Sequence, residues 1–197
     1  YKNLGGNNME LVTGISPVTD LFSSRNVSWS DIDSDGDLDL YVTNENGEKE
    51  NLYRNNGGGS FEKMTDLIIT TDGFNTMSSS WGDIDNDGDL DLFLANDGSK
   101  NQLFRNEGNF VFTRVLTTDV SKVNAKSFSS AWADIDNDGD LDLFVTNAFQ
   151  NGQRLKNNLY LNDGTGHLTE VTNEVVVMDE GWSYGCAFGD YDNDGFQ

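Results

Sequence analysis

Apolar and polar residues alternate over short segments along most of the chain. The clearest segments are three apolar runs that each end in Asn: LDLYVTN at 38–44, LDLFLAN at 90–96 and LDLFVTN at 141–147. Shorter stretches, such as SFEKMT at 60–65 and FVFTRV at 110–115, show the two-residue period of half-buried strands. No segment combines the 3.6-residue period of an amphipathic helix with helix caps. The pattern therefore predicts an all-β chain made of short strands.

Two sequence markers recur in step along the chain. An acidic loop begins at Asp31, Asp83, Asp134 and Asp190, with spacings of 52, 51 and 56 residues. A second marker (YKNLGG, YRNNGG, FRNEGN and YLNDGTG) begins at residues 1, 53, 104 and 160, and its spacings are the same. Units of about 50 residues with about four short strands each are typical of propeller blades.

The repeats predict a single β-propeller region over residues 1–197, built from four-stranded blades with Asp-rich calcium loops. The repeat units are about 1–52, 53–103, 104–159 and 160–197, and the last one is truncated inside its acidic loop. About four units are few for a closed ring. We therefore expect a fragment of a longer repeat array, which needs further blades, another chain or swapped edge strands for closure.

The negative charge of the chain is concentrated in the acidic loops. The formal net charge is −22, and the four loops hold 18 of the 34 acidic residues. The rest of the chain then has 16 acidic against 12 basic residues, an ordinary surface balance. A nucleic-acid partner is not expected, because phosphate binding needs clustered Lys and Arg. No apolar run approaches 18 residues, so no membrane insertion is expected.

Each full loop reads D-x-D-x-D-G-D-L-D, a pattern that suits a divalent cation. Side chains at positions 1, 3 and 5 can converge if the backbone curls, and the Gly at position 6 permits the turn. Position 7 can offer its carbonyl, and the Asp at position 9 closes the cage. An all-oxygen, carboxylate-rich shell favours Ca²⁺ over Mg²⁺ or Zn²⁺. The predicted ligands of three complete sites are Asp31, Asp33, Asp35, Asp37, Asp39, Asp83, Asp85, Asp87, Asp89, Asp91, Asp134, Asp136, Asp138, Asp140 and Asp142.

An EF-hand, the main alternative calcium motif, does not fit these loops. It requires a bidentate Glu at loop position 12 and flanking helices. Position 12 is Val42, Leu94 and Val145, each within an apolar, strand-like run. The Asp at position 7 is the weakest side-chain ligand among the five, because its carbonyl already serves the site.

Aromatic residues precede the loops at equivalent positions, namely Trp29, Trp81, Trp132 and Phe188. Their strict repetition favours packing between blades, and sugar-stacking platforms are the alternative. The connection at 148–157 (AFQNGQRLKN) is longer than its counterparts. Such insertions fall on exposed loops and often belong to a binding face, although a neutral length change explains this one equally well.

The motif W-[SGA]-D-I-D-x-D-G-D-L-D-L, with LYRNNGG and its relatives, resembles the FG-GAP/VCBS repeat family of integrin α-subunit propellers and bacterial secreted VCBS proteins. Phe188-Gly189 retains the Phe-Gly half of the family name. The resemblance implies a propeller, commonly seven-bladed, in secreted or cell-surface proteins. It also implies Ca²⁺ held by side chains at positions 1, 3, 5 and 9 and a carbonyl at position 7. In the fourth loop it carries over to a partial site of Asp190, Asp192, Asp194 and the Phe196 carbonyl.

These observations predict a non-enzymatic, calcium-stabilised extracellular module for adhesion or recognition. Its ligand, a protein or a carbohydrate, would bind a face built from variable loops. One alternative is the propeller part of a secreted polysaccharide-degrading enzyme, for which Arg154 and Lys156 are the basic pair to test. Another is a structural repeat of a surface filament, in which self-assembly completes the propeller.

Overall fold

The computed structural model describes residues 1–122 and 124–193, and of Asn124 the backbone alone. A short exposed hairpin comes first, formed by β1 (Lys2–Gly5) and β2 (Asn8–Glu10). Four strands then form the first sheet, an antiparallel meander in chain order. Its strands are β3 (Ser24–Ser30), β4 (Asp39–Asn44), β5 (Asn51–Asn55) and β6 (Phe61–Met64).

The same meander is repeated twice along the chain. The second sheet contains β7 (Thr76–Gly82), β8 (Asp91–Lys100), β9 (Gln102–Asn106) and β10 (Phe112–Arg114). The third sheet contains β11 (Asn124–Ala133) and β12 (Asp142–Asn147), followed after an insertion by β15 (Asn158–Asn162) and β16 (Leu168–Val171). The second and third sheets are joined where β8 pairs with β11.

The insertion after β12 forms a hairpin. Its strands are β13 (Phe149–Gln150) and β14 (Gln153–Lys156), and β14 also pairs with β17 (Glu180–Gly181). The described helices are short: 3-10 turns at Ile68–Thr70 and Asp119–Lys122 and one α-helical turn at Val175–Met178. None of them has the length or apolar character to cross a membrane.

The hydrophobic core lies between the sheets. One cluster joins Ile32 and Tyr41 of the first sheet region to Leu92 and Phe104 of the second. An equivalent cluster joins the second sheet to the third, with Phe93 against residues that include Tyr160. Because the second strand of each sheet is covered by neighbours, β4 is buried at every position. This explains why the apolar runs of the sequence continue through a whole strand.

Trp81 and Trp132 pack between consecutive sheets, which confirms packing as the role of these two residues. The Trp81 ring meets Tyr41 of the first sheet edge-on, with 5.7 Å between ring centroids. Its Nε1–H donates to Ser28 Oγ at 2.9 Å. Trp132 meets Phe93 of the second sheet in the same manner at 6.5 Å. Trp29, at the equivalent position in the first sheet, is half exposed.

The predicted all-β class is confirmed, and face-to-face sheets with repeated topology make the fold propeller-like. The sheets span 24–64, 76–114 and 124–171, whereas repeat units counted from the tyrosine marker begin at the third strand of each sheet. The units 53–103 and 104–159 therefore each contain the end of one sheet and the beginning of the next.

Glu50 is a buried carboxyl in the connection between β4 and β5 of the first sheet. It is 4% exposed, and its Oε2 accepts the N–H of Asn44 at 2.6 Å. Burial raises its pKa to about 7. In the second and third sheets, the uncharged residues Asn101 and Asn157 accept the equivalent N–H.

We expect Glu50→Gln to make the protein more stable at pH 8 by about 2 kcal/mol. A carboxyl with a raised folded-state pKa stabilises the fold fully below its unfolded pKa of about 4.5, and this contribution is lost as the pH rises through 7. The variant should therefore match the wild type near pH 4.5 and exceed it at pH 8. Urea unfolding at both pH values measures the difference, and parallel pH dependences would contradict the prediction.

Candidate metal centre

Each complete acidic loop connects the first and second strands of its sheet. The loops leave β3, β7 and β11 and enter β4, β8 and β12. Position 4 adopts a positive φ in each loop, at Ser34, Asn86 and Asn137. The position 6 glycines also have a positive φ, which is 93° at Gly36. This left-handed turn favours Gly and Asn and curls the backbone as the sequence predicts.

The Asp at position 1 organises the turn. Asp31 accepts the N–H of Asp35 on Oδ1 and the N–H of Gly36 on Oδ2, both at 3.0 Å. The same two bonds recur at 3.0–3.1 Å in the other loops, to Asp83 and Asp134. Three loops of different sequence context thus share one geometry.

The Asp at position 9 anchors the loop to the sheet. Asp91 is fully buried, and its oxygens accept the N–H of Ile84 at 2.9 Å and of Asn106 at 2.7 Å. Burial raises its pKa to about 7. Asp39 and Asp142 make the equivalent bonds, and burial raises their pKa as well. These carboxylates are costly to ionise without a cation, which a bound metal would offset.

The structure brings three carboxylates of each loop into one group, with oxygens within 4.8 Å of one another. The first group comes from positions 1, 3 and 5, and the other two come from positions 1, 3 and 9. The groups are Asp31, Asp33 and Asp35; Asp83, Asp85 and Asp91; and Asp134, Asp136 and Asp142.

The remaining position 5 and position 7 residues have other roles. Asp87 and Asp138 accept the N–H of the position 7 residue at 2.9 and 3.0 Å. The position 7 side chains lie against the glycine turn of the second marker. A Cβ atom added to Gly57 would lie 3.0 Å from Asp37 Oδ2. Asp89 and Asp140 lie in the same way against Gly108 and Gly164. These side chains stand outside the three groups.

Two buried carboxylate oxygens show that the first two loops suit a cation. Asp33 Oδ1 and Asp85 Oδ1 are buried without a hydrogen-bond partner. A carboxylate oxygen removed from water needs a donor or a cation to offset its desolvation. With the oxygen-only ligand set, this fits a hard divalent ion such as Ca²⁺.

Two arginines beside the loops were missed by the sequence reasoning. Arg54 Nη2 lies 2.6 Å from Asp33 Oδ2 and 3.4 Å from Asp35 Oδ2. Arg105 Nε lies 2.9 Å from Asp85 Oδ2. Both belong to the second marker, in YRN and FRN, whereas the third complete unit has Leu161 at this position. The common spacing of marker and loop was the signal that could have paired them.

The Asn of the second marker links neighbouring loops, another role that the sequence did not reveal. Asn106 Nδ2 donates to Leu90 O of its own loop at 3.2 Å and to Ile32 O of the preceding loop at 3.0 Å. Asn162 makes the same pair of bonds, to Leu141 O and Ile84 O. The markers at Asn106 and Asn162 therefore each connect two consecutive acidic loops.

The other predicted residues lie apart from these groups. Asp190 and Asp192 belong to the fourth loop, while Asp194 and the Phe196 carbonyl lie outside the described residues. Arg154 and Lys156 are exposed on β14, and no salt bridge involves either among the described residues.

Comparison with known proteins assigns a class to this arrangement. The family model described as "FG-GAP-like repeat" matches residues 31–94, 83–145 and 147–197. The chain therefore belongs to the FG-GAP-like repeat family, and the predicted membership is confirmed. No curated protein sequence gives a significant match.

Among solved structures, the chain is similar to a lectin of Agrocybe aegerita. The study of that lectin describes specific recognition of non-reducing terminal N-acetylglucosamine. The TM-score is 0.53 at 18% identity, and the match covers 78% of this chain and 40% of the lectin chain. At this identity the likeness concerns the fold.

Proposed function

We propose that this protein is a non-enzymatic, calcium-stabilised β-propeller module that recognises carbohydrate or protein ligands outside the cell. In this proposal, the four-stranded sheets are blades, and the acidic loops hold Ca²⁺ as a structural ion. Family membership supports an extracellular location, because the family is typical of secreted and cell-surface proteins.

The observation that carries the calcium proposal is the Asp33 carboxylate. Its side chain is 6% exposed, and its Oδ1 has no hydrogen-bond partner, although the group around it contains two more carboxylates. Arg54 pairs with Asp33 Oδ2 only, so the desolvation of Oδ1 is not offset unless a further cation binds. Calcium accepts irregular shells of six to eight oxygens, whereas Mg²⁺ needs near-ideal octahedral geometry and retains water.

Aromatic rings around the insertion hairpin support the recognition proposal. Trp182 is 61% exposed and stacks beside Phe149 of β13, with 5.3 Å between ring centroids. Tyr184 is 55% exposed and meets Phe128 at 4.8 Å. The acidic loop precedes the start of β12 and the hairpin follows its end, so the hairpin lies at the opposite end of β12 from the acidic loop. Flat exposed rings beside polar groups suit a carbohydrate face.

The test is binding to a glycan panel that includes glycans with terminal N-acetylglucosamine, in Ca²⁺ and in EDTA. We expect binding in Ca²⁺ and a loss of about five- to thirtyfold in affinity for Trp182→Ala, since a stacked aromatic ring contributes about 1–2 kcal/mol. Tyr1→Ala is the control, because Tyr1 is 80% exposed and distant in sequence from the hairpin. Binding unaffected by Trp182→Ala would contradict this location of the ligand site.

A further inference from the structure

The three complete acidic loops differ in one neighbouring side chain. Arg54 reaches the first loop and Arg105 reaches the second, whereas the equivalent residue of the third unit is Leu161. Among the described residues, no Lys or Arg forms a salt bridge with the third loop. The third loop therefore has the same carboxylate pattern without a neighbouring cationic side chain.

Both arginines are held in place by the sheet that follows. Arg54 lies over the ring of Phe110, in the turn between β9 and β10 of the second sheet, with 5.6 Å from Cζ to the ring centroid. Arg105 Nη2 donates to the Thr165 carbonyl of the third sheet at 2.8 Å. Because each guanidinium is fixed from two sides, its positive charge stays close to the acidic group.

Each arginine engages one oxygen of the carboxylate at loop position 3 and leaves the other oxygen of that carboxylate without a partner. Arg54 contacts Asp33 Oδ2, and Asp33 Oδ1 is the buried oxygen that lacks a partner. Asp85 has the same division between Oδ2 and Oδ1. A metal ion can therefore bind beside the arginine, but it meets the repulsion of a fixed positive charge.

We propose that Arg54 and Arg105 are built-in counter-cations that lower the calcium affinity of the first two loops and keep those loops ordered when no ion is bound. The third loop, with Leu161, is the highest-affinity calcium site and depends most on the ion. This inference rests on the proposed calcium binding. It implies two classes of site within one repeat array.

Exchanging Arg and Leu at the equivalent positions 54, 105 and 161 tests the inference, because each substitution is the control for the reverse one. Ca²⁺ is titrated calorimetrically into the EDTA-stripped full chain and its variants Arg54→Leu, Arg105→Leu and Leu161→Arg. We expect the wild type to bind one ion about tenfold more tightly than two others. Each Arg→Leu change should raise the calcium affinity of one further site to that of the tightest site. Leu161→Arg should remove the tightly binding site. Arg54→Lys keeps the charge and should keep its site weak.

Thermal unfolding in excess EDTA gives the second measurement. Arg54→Leu and Arg105→Leu should lower the melting temperature, because uncompensated carboxylates then repel one another. Leu161→Arg should not lower it. Three equivalent wild-type sites, or Arg→Leu variants with unchanged or weaker calcium affinity, would overturn the inference. Absence of calcium binding in every variant would instead refute the proposed function, and the EDTA melts would still measure the effect of the arginines on the loops.

Discussion

Calcium at 10 mM should raise the melting temperature of this protein by roughly 15–30 °C above its value in excess EDTA. Binding at about 100 times the dissociation constant stabilises a fold by about 2.7 kcal/mol per site, and three sites give about 8 kcal/mol. A chain of this size shifts by about 2–4 °C per kcal/mol. The physical reason is the repulsion among the grouped carboxylates and the burial of residues such as Asp91.

Circular dichroism melts in Ca²⁺, in Mg²⁺ and in EDTA, at constant ionic strength, measure this effect. Magnesium should give a shift of a few degrees, because the loops offer an irregular shell of many oxygens. The comparison at equal ionic strength separates specific binding from general screening of the −22 charge. Identical melts in the three solutions would show that the loops hold no stabilising metal.

The second large effect should come from Asn106→Ala, which we expect to lower the free energy of unfolding by about 3–4 kcal/mol. Asn106 is fully buried, and its side chain donates to Ile32 O and Leu90 O and accepts the N–H of Gly108 at 3.1 Å. The substitution removes the donor to the buried Ile32 O and two further bonds at part-buried backbone groups. Guanidinium unfolding in saturating Ca²⁺ measures the loss.

Asn55→Ala is the matched control for this variant. Asn55 is partly exposed and makes the corresponding bonds within its own sheet. Its Nδ2 donates to Leu38 O at 3.1 Å, and its Oδ1 accepts the N–H of Gly57 at 3.0 Å. It lacks the bond to a preceding loop. We expect a loss of about 1 kcal/mol, since water can replace these bonds. Equal losses in both variants would mean that the bond from Asn106 to Ile32 contributes nothing to stability.

The fold class and the acidic loops could be predicted from the sequence because both depend on local patterns. Alternation and the repeat period indicate short strands, and the Gly at position 6 marks the turn that the loops adopt. The packing of Trp81 followed from its repetition, since a side chain that recurs with every sheet occupies the same interface each time. The half exposure of Trp29 did not follow, because burial depends on which sheet lies next to it.

The partners of the loops could not be predicted, because they come from other parts of the chain. Arg54 lies 21 residues after Asp33, and Asn106 reaches back 74 residues to Ile32. In the sequence, only the shared spacing of the second marker and the acidic loops relates these side chains to the loops. The sequence predicted that the position 7 side chains are the weakest ligands, but it did not predict their contact with glycines that lie in another strand connection.

The bonds between loops have a consequence for the order in which the molecule is made. The first acidic loop is closed by Asn106 and Arg54 only with the second sheet in place, and the second loop needs Asn162 and Thr165 of the third. A chain emerging N-terminus first from a ribosome or a secretion pore therefore finishes each loop one unit late. The first two acidic loops are completed in sequence, each behind the growing end of the chain.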